Sequence, residues 1–277
     1  MKFCCSLVVV LSVMLDASTA ASATSPLIVA HRGASADAPE NTLAAFRLAF
    51  QQNADGIEGD FYLTADGKIV CHHDKDAKRT AGKALNIERA TLEQLRELDF
   101  GTWKSADFAG EKIPTFEEVL RTVPDGKTFV IELKSGPEIV PVLKAELDRL
   151  DHAKIDLMII SFDATTIRSC KDLMPEIKAH WLTGFDREAS NGDYEPSAEG
   201  VVETLRQCGA DGLGFNGNAD IDYADFLKAL RGGGYDEFHV WTVDRGDSAE
   251  TFSGLGVYGI TTNTPDKIRS VVFPPKP

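Results

Sequence analysis

The sequence lacks an excess of basic residues, enough cysteines for a bonded scaffold, and any long apolar run after its opening segment. Each absence excludes a class of protein. Lys and Arg number 29 against 43 Asp and Glu, a net charge of −14, whereas a general nucleic-acid binder needs a basic footprint. The same charge repels anions at long range, so capture of a phosphate would have to rest on local cations. Cys4 and Cys5 fall in the opening segment and leave Cys71, Cys170 and Cys208. An odd count without regular spacing gives neither a disulfide framework nor a zinc pattern, and leaves a single Cys170–Cys208 bridge open. No later segment reaches the ~20 apolar residues of a bilayer span, so no stable membrane insertion is expected. Internal repeats, low-complexity tracts and a G-x-G-x-x-G dinucleotide turn are also missing.

What is present begins with an export signal over residues 1–23. Lys2 supplies a positive end, Leu7 to Leu15 an apolar stretch, and Ala21-Ser22-Ala23 a small-residue cleavage site. Residues 24–277 are then read as one domain, periplasmic or extracellular, with an oligomeric state the sequence does not reveal.

From residue 27 onward, strand-like runs alternate with amphipathic ones. The strands are expected at Leu27–His31, Gly56–Tyr62, Phe129–Leu133, Leu157–Phe162, Lys178–Leu182, Gly212–Phe215, Glu237–Val243 and Gly259–Thr262. Helical periodicity falls between them, from Leu43–Gln52 to Pro265–Val272. Eight such units favour a (β/α)₈ barrel over an open doubly wound sheet. Thr64-Ala65-Asp66-Gly67 predicts a hairpin turn, and residues 74–113 form a small insertion after the second strand, with one helix behind a Thr91 cap.

Side chains two apart on a strand share a face, so Glu58 and Asp60 point the same way in an otherwise apolar run. Two neighbouring carboxylates facing a barrel interior must bind a cation or take up a proton. Glu132 interrupts Phe129–Leu133 in the same manner and shares its face with Lys134. Separately these could be a solvated strand edge and a buried Glu–Lys pair; together, at the strand ends of one barrel, they favour one hard divalent ion. His31 closes the first strand, and His73 closes the Ile69-Cys71-His73 face from which His72 points away. Two histidines beside a cation can divide proton removal and donation, which makes His31 and His73 the candidate acid/base pair. Gly33 permits a tight turn after His31. Asn41 or Thr42 can cap the first helix, and Glu40 and Asn41 are expected to support the site from behind. Phe162 and Trp241, at strand ends, could wall the organic part of a substrate.

These residues resemble the signature of the glycerophosphodiester phosphodiesterases. The shared pattern runs through His31-Arg32-Gly33, Pro39-Glu40-Asn41-Thr42, Glu58-x-Asp60, Thr64-x-Asp66-Gly67 and His73-Asp74, then Ile131–Lys134, Ser161–Asp163, Val240–Val243 and Thr261-Thr262-Asn263-x-Pro265. The resemblance implies a barrel with an insertion after its second strand and Mg²⁺ or Ca²⁺ on Glu58, Asp60 and Glu132. It also implies His31 and His73 as the catalytic pair, and Arg32 and Lys134 as phosphate contacts. The reaction implied is hydrolysis of glycerophosphodiesters, such as deacylated phospholipid headgroups, to sn-glycerol 3-phosphate and an alcohol. Asp244 stands where the family often has Asn, and Asn263 where it often has Asp; both are expected at the substrate rim. Alternatives are a phospholipase D-like or cyclising lyase acting on lysophospholipid or sphingolipid, a metal-dependent isomerase, and a non-catalytic phosphate-binding relative.

Overall fold

Apolar residues recur in eight short runs that pair in parallel until the first meets the last. The computed structural model describes residues 25–187, 194–217, 221 and 223–275; the export segment expected over residues 1–23 lies outside them. The barrel strands are β1 (Leu27–His31), β2 (Gly56–Leu63), β4 (Thr128–Leu133), β5 (Asp156–Ser161), β6 (Lys178–Thr183), β9 (Gly212–Asn216), β10 (Phe238–Trp241) and β11 (Gly259–Thr262). Each pairs with the next in the order β1-β2-β4-β5-β6-β9-β10-β11, and β11 closes on β1 through Leu27↔Gly259 and Val29↔Thr261. The strand β3 (Ile69–Cys71) returns antiparallel along the end of β2 after the predicted turn, where Gly67 takes a φ of 72°.

The outer ring is α1 (Leu43–Gln51), α4 (Phe116–Leu120), α5 (Ile139–Arg149), α6 (Ala164–Leu173), α7 (Ala198–Cys208), α8 (Tyr223–Gly232), α9 (Gly246–Gly254) and α10 (Pro265–Val272). Their apolar faces meet the outward side chains of the strands in the main core, in which Phe61 packs edge-on to Phe116 and Phe129. Inward side chains make a second core of Val29, Val130, Met158, Ile160 and Leu182, so the barrel is filled rather than open.

The insertion carries α2 (Lys78–Ala81), α3 (Leu92–Arg96) and a 3₁₀ turn at Ala106–Phe108. Thr91 and Gln94 form a reciprocal capping box on α3. Ala77, Ile87, Leu95, Phe100 and Ile113 bury against Tyr62 and Val70, giving the insertion a small core of its own. The short hairpin of β7 (Asp186–Arg187) and β8 (Tyr194–Glu195) carries no alternating pattern long enough to reveal it in the sequence. Glu237 and Val243, expected within a strand, flank β10 instead. Cys170 and Cys208 are free thiols inside the α6 and α7 faces, so the possible bridge between them is not made.

Candidate active site

The C-terminal ends of the strands bring the predicted residues to one cleft of about 110 Å³. His31, Arg32, Glu58, His73, Glu132, Lys134, Phe162 and Trp241 line it. Strand register does this directly: His31 stands opposite Glu58 across β1 and β2, and Asp60 stands opposite Glu132 across β2 and β4.

Glu58, Asp60 and Glu132 are all buried, with one carboxylate oxygen from each lying within 4.8 Å of the others. Glu58 accepts the Arg32 backbone N–H at Oε2 (2.9 Å), while its Oε1 is buried without a hydrogen-bond partner. Burial, and then repulsion by Asp60 and Glu132, pushes the Glu58 carboxyl well above the usual range. Burial and Asp60 push Glu132 up to about 7. Against the cost of its own burial, Asp60 is held below the usual range by Lys134 and Arg32. Three crowded oxygen donors, one of them orphaned, suit a hard divalent cation, and these residues would hold it.

The cations nearest this cluster are already engaged. Lys134 Nζ lies 2.9 Å from Glu132 Oε1 and 3.4 Å from Asp60 Oδ1, so the Glu–Lys pair and the carboxylate cluster coexist. Arg32 sits at φ 55° and reaches Glu40 at 3.0 Å and Asp60 at 3.4 Å. Gly33 is obligatory at the following turn, because a Cβ there would lie 2.6 Å from the backbone of Ala45.

Pro39-Glu40-Asn41-Thr42 divides its work. Thr42 caps α1 by accepting from the Ala45 N–H. Asn41 does not cap. Buried, at φ 56°, it donates Nδ2–H to Asp60 Oδ2 (2.8 Å) and accepts from the Asp60 N–H and the Cys71 thiol. Glu40 holds Arg32 on one side and Arg79 of α2 on the other, at 2.6 and 2.9 Å.

The two histidines have different neighbours. His31 turns Nδ1 to Asn263 Oδ1 at 2.8 Å, and burial followed by the Arg32 charge lowers its pKa to about 4. His73 is one-third exposed and turns Nδ1 to the Asp74 carboxylate at 2.8 Å. Arg79 grips Asp74 with two further bonds, and this pairing holds Asp74 far below the usual carboxylate range. His72 faces away, bonds the Asp76 carbonyl and lies edge-on to Phe100.

Phe162, almost half exposed, meets Trp241 edge-on at 5.6 Å to form an aromatic wall. The buried Trp241 Nε1 has no partner. Asp244 and Asn263, expected at the substrate rim, are not among the residues that line the cleft: the half-buried Asn263 bonds His31, and the exposed Asp244 bonds Asn263.

Sequence reasoning missed Arg79, whose spacing from His73 gives no periodic signal, and the paired rings of His180 and His239 inside the barrel. Their Nδ1 atoms are 3.1 Å apart, and His239 floors the cleft. Glycine provides the room, since a Cβ on Gly214 would meet the His239 ring at 2.3 Å. Same-face spacing of His180 with Leu182 and of His239 with Trp241 was the available signal.

The profile of the glycerophosphoryl diester phosphodiesterase family matches residues 31–267. A glycerophosphodiester phosphodiesterase of Caldanaerobacter subterraneus subsp. tengcongensis is 33% identical over 89% of this chain and 97% of its own length. One from Bacillus subtilis is 30% identical over 88% of this chain and 86% of its own. Among solved structures, an Oleispira antarctica phosphodiesterase in complex with the product sn-glycerol-3-phosphate superposes with a TM-score of 0.79 at 27% identity. That superposition covers 90% of this chain and 97% of that one.

Proposed function

Because the chain belongs to the glycerophosphoryl diester phosphodiesterase family and has that family's activity, we propose that it hydrolyses glycerophosphodiesters to sn-glycerol 3-phosphate and a free alcohol, with His31 and His73 as its acid/base pair. The observation that carries this reading is the buried triad of Glu58, Asp60 and Glu132, with an orphaned Glu58 oxygen, set in one cleft between two histidines.

A single Mg²⁺ or Ca²⁺ on the triad would supply Lewis-acid neutralisation of the phosphate, in electrostatic stabilisation of the kind that is usually the largest catalytic term. Arg32 and Lys134 add fixed positive charge at the same place, which the acidic surface makes necessary. His31 presents Nδ1 to an amide oxygen, which keeps the proton there and leaves Nε2 as a lone pair; its pKa of about 4 keeps it neutral. It is therefore suited to remove the proton of the nucleophile. His73 presents Nδ1 to a carboxylate, an acceptor for both the neutral and the doubly protonated ring. That leaves its Nε2 free to deliver a proton to the departing alcohol. Phe162 and Trp241 wall the organic group, and Glu40 and Asn41 hold Arg32 and Asp60 in place.

The deciding measurement is release of glycerol 3-phosphate from a panel of glycerophosphodiesters with Mg²⁺, with Ca²⁺ and with chelator. Lysophosphatidylcholine belongs in the panel: its cleavage in preference to glycerophosphocholine would overturn the substrate assignment. Solvent ¹⁸O in the product, against a cyclic phosphate intermediate, separates attack by water from attack by the glycerol 2-hydroxyl. Export of residues 24–277 as one domain is proposed from residues 1–23, and an N-terminus near Thr24 in the mature protein is the expected result.

A further inference from the structure

The amide of Asn263 can face His31 in two ways, and only one leaves His31 Nε2 able to take a proton. A side-chain amide has an accepting oxygen and a donating nitrogen, and its orientation is set by the network around it. Here the network runs inward from the exposed Asp244 to His31, whose Nδ1 also has the Thr242 hydroxyl at 3.5 Å. Asn263 Nδ2 lies 2.6 Å from Asp244 Oδ2, and a carboxylate accepts only. Asp244 Oδ1 takes the Asn263 backbone N–H (2.8 Å) and the Thr262 hydroxyl (2.9 Å), which anchors the carboxylate against rotation. On the other side, Asn263 Oδ1 accepts from the Ser35 hydroxyl at 2.7 Å and faces His31 Nδ1 at 2.8 Å. The His31 proton therefore lies on Nδ1, and Nε2 is a lone pair.

We propose that Asp244 is a positioning residue for catalysis: it touches neither substrate nor His31, and it fixes the proton-accepting form of His31 through the Asn263 amide. The proposal rests on the reading of His31 as the proton acceptor. It accounts for the Asp at 244 and the Asn at 263 together, since each is useful only with the other. Asp244→Asn keeps an oxygen for Thr262 and for the Asn263 N–H but sets a nitrogen against Nδ2. The amide of Asn263 then reverses, offers Nδ2 to His31 Nδ1, and moves the ring proton to Nε2. Asn263→Asp sets two carboxylates 2.6 Å apart at the position of this bond. The exchange of both, Asp244→Asn with Asn263→Asp, restores one donor facing one acceptor and an oxygen facing His31.

The experiment compares the wild type, the two single variants and the double variant for kcat and KM of glycerol 3-phosphate release at saturating Mg²⁺. Ring ¹⁵N spectra of His31 and melting curves accompany the kinetics. Each single variant is expected to lose about 10–100-fold in kcat, the scale for an outer orienting partner, with KM held within about twofold. Asp244→Asn moves the unprotonated ring nitrogen of His31 from Nε2 to Nδ1. The double variant recovers kcat to within a few-fold of wild type and returns the ring signature. A double variant no better than the singles, at an unchanged melting temperature, overturns the proposal; so does an unmoved ring signature in Asp244→Asn. If instead the wild type releases no glycerol 3-phosphate, the functional reading fails, while the ring spectra still decide whether Asp244 sets the tautomer.

Discussion

The site has a strand-built half and an insertion-built half, and they handle charge in opposite ways. In the first, Glu58, Asp60 and Glu132 come from rigid barrel strands, and burial with mutual repulsion pushes Glu58 and Glu132 upward. In the second, Asp74 and Arg79 of the insertion tie His73, just before it, and Glu40, in the loop before α1, into a partly exposed chain of ion pairs, in which Asp74 and Glu40 are held below their ordinary range. The strand half is thus incomplete without a cation, whereas the insertion half satisfies itself. One half is built to gain charge, and the other is built to hold a ring still.

The largest effect that would sharpen this contrast is loss of a triad carboxylate. Asp60→Asn is expected to lower kcat/KM by about 10³–10⁴-fold, several kcal/mol of transition-state stabilisation, and to weaken ion binding measured by calorimetry. Full activity in this variant would break the assignment of the strand half. Next come the histidines. His31→Ala and His73→Ala should each cost about 10²–10³-fold in kcat, within the range for a single acid or base. If neither variant loses activity in the glycerol 3-phosphate assay, the division of labour between the halves is wrong. Arg79→Ala follows, at about tenfold in kcat, since it acts on His73 only through Asp74. Arg79→Lys should recover part of that loss, and a rise in KM alone would make Arg79 a substrate contact instead.

The two halves were unequally legible in the sequence. Strand parity placed Glu58 with Asp60, because a period of two is fixed by backbone geometry. The barrel followed from eight alternating units for the same reason. His73, expected to close a strand face, instead lies two residues past the end of β3 at Cys71, although it still turns away from His72. Nothing comparable exists for a loop. Arg79 meets Glu40 across 39 residues, and Asn263 meets His31 across 232; such contacts come from closure of the barrel and folding of the insertion, which no local pattern encodes. Asn41 shows the limit from the other side. Its place before a helix left two roles open, a cap shared with Thr42 or support of the site; Thr42 caps α1, and Asn41 binds Asp60 as the supporting role requires.

Stability without the ion should also divide the halves. Glu132 rises from its ordinary value to about 7 in the fold. Its contribution is therefore present at acid pH and lost as pH rises from the unfolded value through about 7. Melting of the metal-free protein should fall from pH 5 to pH 8, and added Mg²⁺ should raise it most at pH 8. Asp74 works in the other sense, stabilising above its unfolded value and losing that contribution only in strong acid. A metal-free melting temperature that climbs toward pH 8 would show that the triad is not the dominant strain.

The smallest expected effect is an insensitivity. His31 has its pKa lowered from 6.5 to about 4, by burial first and the Arg32 charge second, so the neutral ring persists well into the acid range. With the ion saturating, kcat at pH 5 should stay within about twofold of its value at pH 7 on the His31 side of the profile. The ion concentration needed for saturation should meanwhile rise as pH falls through about 7, because Glu132 must give up its proton to bind. Separate measurement of kcat and of the apparent ion affinity across pH 4–8 distinguishes the two. A kcat that halves as pH falls through about 6.5 at saturating ion would mean that His31 titrates like an exposed ring, and that burial in the strand half does not set its protonation.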